Sequence, residues 1–307
     1  MPGFRLRGEI VAAKLSARSY YEGLYSMKNS KRHLGIAASL FLALLLPAVI
    51  QADDKADAYK YGKEGIEAAK DKQWDKAIDL FQKAVKADPK EANNYNNLGL
   101  AYKGAGKTDE AIKAFGNAIE AEPNGGNGYV NRAVVYTSQK RYDKAIEDLD
   151  KAIKLKPDSI AAYRFRAFAY LQMKDYKKAV EDYNVVLKEK DNDNAILDRR
   201  AFAYWNMKEY DKAIEDFGKI IKDKPNDKEA YLDRSYVYEL KGDYAKGIAD
   251  CDKVLSLDPN NQDAKNRKAR LEYQEKKANS TPTPTPTARP RRTLPPDETP
   301  TPHRKRP

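Results

Sequence analysis

Arginine and aspartate recur in this sequence at a fixed interval. Arg132, Arg166, Arg200 and Arg234 stand 34 residues apart, and so do Asp148, Asp182, Asp216 and Asp250. A row of guanidinium groups, each a planar fork of donors, suits either bound anions or carboxylates of the chain itself. The two sets come and go together: the corresponding upstream positions hold Glu64 and Leu98 in place of Arg, and Leu80 and Ala114 in place of Asp. That co-occurrence favours structural ion pairs, within or between repeating units, over an anion-binding strip. Groups for other chemistry are scarce. The two histidines, His33 and His303, lie near the ends, so residues 53–278 lack the commonest general base. A single cysteine, Cys251, excludes an intrachain disulfide and a clustered Cys/His metal site. There is no Gly-rich phosphate loop, nucleophile motif or metal spacing, so the sequence reads as non-enzymatic, with no catalytic residue, metal or cofactor.

The interval belongs to the elements that carry these residues. Pro89, Pro123, Pro157, Pro225 and Pro259 are separated by 34 residues or a multiple of it, and Asp191 fills the missing step. Each closes a segment of one pattern, such as DKAIDLFQKAVKADP, DKAIEDLDKAIKLKP and DKAIEDFGKIIKDKP. Apolar residues recur there at steps of three and four, the helical period, until proline forbids continuation. A shorter helix precedes each, as in NNYNNLGLAYKGAG and AYRFRAFAYLQMKD, and ends in a polar or glycine-containing turn.

A 34-residue helical pair that places an aromatic, a small residue, Tyr, Ala, an aromatic and Pro in order resembles the tetratricopeptide repeat. Six repeats start at Ala58, Ala92, Gly126, Ile160, Asn194 and Lys228. The eighth residue is small in each (Gly65, Gly99, Ala133, Ala167, Ala201, Ser235), and so is the twentieth (Ala77, Ala111, Ala145, Ala179, Ala213, Gly247). Two helices crossing closely need small residues at the crossing, because a larger side chain would force them apart. Larger residues, Tyr102 and its equivalents with Phe81, Phe115, Leu149, Tyr183 and Phe217, fill the space around it. Cys251 takes this last position in repeat six and reads as a small buried hydrophobe. The resemblance covers residues 58–261 and implies an all-α fold, a right-handed superhelical solenoid of six repeats spanning 53–261. One repeat cannot bury its own apolar face, so the strongly charged helix at 262–278 is expected to cap the last one.

Positions two, five, nine and twelve of each first helix share one face, which the resemblance makes the concave groove where peptides bind. The ninth position runs Ile66, Leu100, Val134, Phe168, Phe202, Tyr236, apolar throughout and aromatic in its second half. Leu171 and Trp205 add apolar surface, while Asn96, Arg164 and Asp198 offer polar contacts. An extended or helical protein segment with spaced apolar anchors fits such a face. The competing reading packs the ninth-position residues between adjacent first helices. A carboxylate clamp found in part of the family is not expected, since Asn97 and Asn131 lack its flanking lysines.

The ends differ from the body. Net charge is +11, yet residues 53–278 carry 44 basic and 42 acidic side chains, so the excess sits outside the repeats. A nucleic-acid reader needs a basic stripe on its folded surface, and no nucleic-acid partner is expected. From Met27 the chain reads MKNSKRH, the apolar run Leu34 to Ile50, then QA and an acidic DD, the layout of an export signal cleaved after Ala52. Residues 1–52 are thus an extension plus signal, with translation expected from Met27 and the mature protein periplasmic or secreted. The alternative is an inner-membrane anchor formed by the same run, near the roughly 17–25 residues of a span. Residues 279–307, rich in Thr, Pro and Arg, are expected to stay disordered and to offer contact with an anionic envelope surface. The leading function is an exported scaffold holding a protein or peptide; the alternative is a structural, self-assembling envelope protein using repeat stacking and the basic tail.

Overall fold

A computed structural model describes residues 54–280, which form thirteen α-helices and, among the described residues, no strand. The expected signal and most of the Thr/Pro-rich tail lie outside the described residues. The chain divides into two compact units between Asp223 and Lys224. The first holds α1 (54–70), α2 (Trp74–Ala87), α3 (Ala92–Gly104), α4 (Thr108–Ala121), α5 (Gly126–Ser138), α6 (Tyr142–Leu155), α7 (Ile160–Gln172), α8 (Tyr176–Glu189), α9 (Asn194–Asn206) and α10 (Tyr210–Asp223). The second holds α11 (Lys228–Lys241), α12 (Tyr244–Leu257) and α13 (Gln262–Asn279). Odd and even helices pair as the repeat pattern requires, although α1 begins ahead of Ala58.

The second helices show why the pattern folds this way. In α2, Ala77, Ile78, Phe81 and Ala84 fall on one face and are buried, while Asp75 in the first turn and Lys86 in the last complement the helix dipole. The helix ends at Asp88 and Pro89. Asp191 occupies an equivalent turn, so the missing proline does not change the connection.

Between first and second helices the chain must reverse within a few residues, and the fifteenth position of each repeat does so in the left-handed region. Gly106 and Gly242 have φ of 76° and 83°, and Lys72, Lys140, Lys174 and Lys208 have φ of 56–63°. A side chain there costs about 1–2 kcal/mol that glycine does not incur. Lys140→Gly is therefore expected to raise stability by about 0.5–1 kcal/mol, after the greater unfolded-state freedom of glycine is subtracted. Urea unfolding checks this; a lower midpoint would contradict it.

The crossings hold the apolar core. Phe81 lies against Gly65, and Phe115 against Gly99, so closely that a Cβ on either glycine would stand 2.7 Å and 2.5 Å from the nearest ring atom. In repeat three the larger Ala133 shares a cluster with the smaller Leu149. In the second unit Ser235 donates to or accepts from Cys251 at 3.2 Å and bonds the Gly247 carbonyl at 2.9 Å. Cys251 is fully buried and burial pushes its thiol up, which keeps it inert.

The arginines and aspartates pair within each repeat. Arg132 with Asp148, Arg166 with Asp182, and Arg200 with Asp216 form two-pronged contacts of 2.6–2.8 Å in the first unit. Arg234 and Asp250 repeat the arrangement in the second. All four aspartates are buried. Two arginines also reach back to the preceding repeat: Arg166 to Asp150 at 2.6 Å and Arg200 to Asn184 at 2.7 Å. These contacts tie neighbouring repeats as well as the helices of one.

In the second unit α13 closes the end of repeat six. Asn261 caps it by accepting from the Ala264 amide, and Ala264 and Leu271 are buried. Lys268 pairs with Asp252 at 2.6 Å, taking the cross-repeat role that Arg166 has in the first unit. Arg270 grips Glu239 through two 2.7 Å bonds, and Arg267 donates to the Leu232 carbonyl at 2.9 Å.

Candidate partner-binding site

The first-helix face of the first unit carries nine of the ten sequence-predicted partner-binding residues. Its densest part lies in repeats four and five, where α7, α8 and α9 meet. Phe202, 38 % exposed, stacks at a tilt on Trp205 with ring centroids 4.9 Å apart. Tyr176, at the start of α8, meets Phe202 edge-on at 6.3 Å. Beside them the Arg199 guanidinium lies over the Phe168 ring at 5.2 Å, and Arg164 pairs with Asp193 at 2.6 Å. Met173, which follows α7, is 44 % exposed. Four rings and two cations fixed by partners make a patch that can take an apolar anchor and orient polar backbone around it.

The other predicted residues are spread along the face. Leu100 is 45 % exposed, as is Ile66 at 42 %, while Val134 is half-buried and Asp198 exposed. Asn96 is mostly buried and accepts from the Asn131 amide at 3.2 Å, a bond between neighbouring first helices. Leu171 is also mostly buried and supports the patch more than it displays it. Tyr236 belongs to the second unit, half-buried, with Arg267 over its ring at 5.1 Å.

Family models of the tetratricopeptide repeat match residues 69–106, 96–160, 136–201 and 199–277, so that together they cover residues 69–277. The chain belongs to the tetratricopeptide repeat family. No curated protein sequence matches it. Solved tetratricopeptide repeat structures are similar in fold. YrrB, described as having an unusual peptide-binding site, is 18 % identical, with a TM-score of 0.57 over 62 % of this chain and 97 % of its own. PilF of Pseudomonas aeruginosa is 17 % identical, with a TM-score of 0.58 over 71 % and 99 %. A tetratricopeptide repeat protein of Parabacteroides merdae is 20 % identical, with a TM-score of 0.55 over 73 % and 90 %. At such identities the likeness concerns the fold alone. Scaffolding of other proteins, rather than catalysis, is the typical role of this family. Among the described residues no cluster of three metal-ligating side chains occurs, and no helix is long and apolar enough to cross a membrane.

Sequence reasoning missed Tyr176, Arg199 and Asp193. Periodicity marks four positions of each first helix, and these residues lie elsewhere in the repeat or in the loops. Tyr176 carries a trace of signal, since its position is aromatic in five of the six repeats: Trp74, Tyr142, Tyr176, Tyr210 and Tyr244.

Proposed function

We propose that the chain is an exported tetratricopeptide repeat scaffold that holds a peptide or partner segment on its first-helix face, anchored at repeats four and five. The single observation that carries this is the stacked Phe202–Trp205 pair with Tyr176 against it, left partly open to solvent. Well-packed proteins seldom leave such rings together at the surface without a binding role. The peptide-binding site described for YrrB adds a precedent from the same fold. Export is supported by the basic start, apolar run and small residue at 27–52. The N-terminus of the protein isolated from its native cell is expected at Asp53; a terminus upstream of Leu34 would contradict cleavage.

Aromatic anchors at the centre of an interface typically cost about 2 kcal/mol or more each when truncated. The Phe202→Ala/Trp205→Ala variant is thus expected to lose its partner by about a hundredfold or more in affinity. The check is a crosslinking pull-down from the native cell envelope with wild type and variant, after circular dichroism shows equal folding. Loss of one defined set of partners supports the site. An unchanged set would refute it.

A further inference from the structure

In the first unit every first helix after α1 lies against the second helix of the preceding repeat. The seventh residue of a first helix faces that seam, and the twenty-third stands beside it on the second helix of its own repeat. In repeats four and five Arg166 and Arg200 reach across it to Asp150 and Asn184 of the preceding second helix; in repeat two Leu98 and Ala114 pack in one cluster with Ile78 and Phe81 of α2. Repeat one has the same seam, and among the described residues no helix precedes it. A trough of about 580 Å³ opens between α1 and α2, with Leu80 and Ala68 in its lining.

The charges around this trough are sorted. Along α1 and its end, Lys60 and Lys63 come first, Glu67 and Asp71 last, and all four line the trough and are exposed. We propose that a second copy of this chain covers the seam, α1 against α1 about a two-fold axis. An isologous interface must be self-complementary, and a two-fold axis across a helix reverses its direction. Reversal sets Lys60 opposite Asp71 of the second copy and Lys63 opposite its Glu67, and both pairs share a centre next to Gly65. Lys76 of α2 and Glu64 of α1 line the same trough. Glu67 already bonds Lys70 on its own helix at 2.8 Å, but both are exposed, and such a pair is weak enough in water to exchange. An acidic or basic protein partner would meet one half of this pattern and be repelled by the other; a second copy meets both.

The test is sedimentation equilibrium of the full chain at low and high salt. A reversible dimer that weakens as salt rises is expected, because the pairs lie at a solvated surface. Lys60→Glu/Lys63→Glu and Glu67→Lys/Asp71→Lys should each raise the dimer Kd at least about tenfold, and an equimolar mixture of the two variants should recover association. Phe202→Ala/Trp205→Ala should dimerise as wild type does, which separates this surface from the partner site. A monomer at every concentration, or a dimer indifferent to both reversals, would overturn the proposal. So would crosslinks within a monomer from Lys60 or Lys63 to residues 1–53, which would give the trough to that segment.

Discussion

Arg166→Ala is expected to destabilise the first unit by about 3–5 kcal/mol at neutral pH, the cost of leaving a buried charge without its partner. Arg166 holds two carboxylates at once, Asp182 within its repeat and Asp150 in the preceding one. Removing it strands Asp182, which is 5 % exposed, beside a second negative charge. The single substitution exceeds what the pair itself contributes. Repeat two fills the same two positions with Leu98 and Ala114, both buried, so Arg166→Leu/Asp182→Ala should be less damaging than Arg166→Leu alone. Urea unfolding of the three variants checks this. Equal losses for the single and double variants would show that the pair is not the source of the effect.

The same pair fixes a pH dependence. Burial holds the Asp182 carboxyl above its ordinary value, and Arg166 only partly offsets this. A carboxyl that binds its proton more tightly when folded favours folding as pH falls through its folded pKa toward the unfolded value. Without Arg166 the carboxyl rises further, so the loss in Arg166→Ala is present at neutral pH and shrinks on acidification. A loss that grew on acidification would reverse this account.

Phe115→Ala is expected to cost about 3–5 kcal/mol, since it empties the fully buried crossing of repeat two. The more discriminating change is on the other side of the contact. Gly99→Ala gains about 1 kcal/mol of helix propensity but pushes a methyl group into a ring that cannot move outward, for about 1–3 kcal/mol of overpacking. The net result should be a loss, because the new Cβ would stand 2.5 Å from a Phe115 ring atom. Repeat three pairs Ala133 with Leu149, so Gly99→Ala/Phe115→Leu should cost less than the two changes summed. Additive losses, by thermal or urea unfolding, would mean that the two positions do not pack as a unit. Repeat five pairs Ala201 with Phe217, both buried, so its helices must cross with more room than those of repeat two.

How far these features were legible in the sequence depends on whether one repeat or two determine them. The Arg–Asp pairs could be read because the repeats differ among themselves: Arg and Asp appear together in four and are absent together from two. The second bond of Arg166, to Asp150, could not be read, since it requires the stacking of adjacent repeats. The same limit governs the binding face. Periodicity places Leu100, Asn96 and Leu171 on one side of their helices, but neighbouring repeats decide that Leu100 is open and the other two are mostly covered. Tyr176 reaches Phe202 only because α9 packs beside α8. The left-handed lysines left no mark in their residue type; only Gly106 and Gly242 betray the turn.

The central claim is that partners are held on the first-helix face at repeats four and five. Its most direct test places a photo-crosslinking amino acid at Phe202 in one variant and at Lys151, exposed on α6, in another, each expressed in the native cell. A partner segment crosslinked from position 202 and not from 151 is the expected result. Crosslinks from 151 alone, or the same products from both, would contradict it.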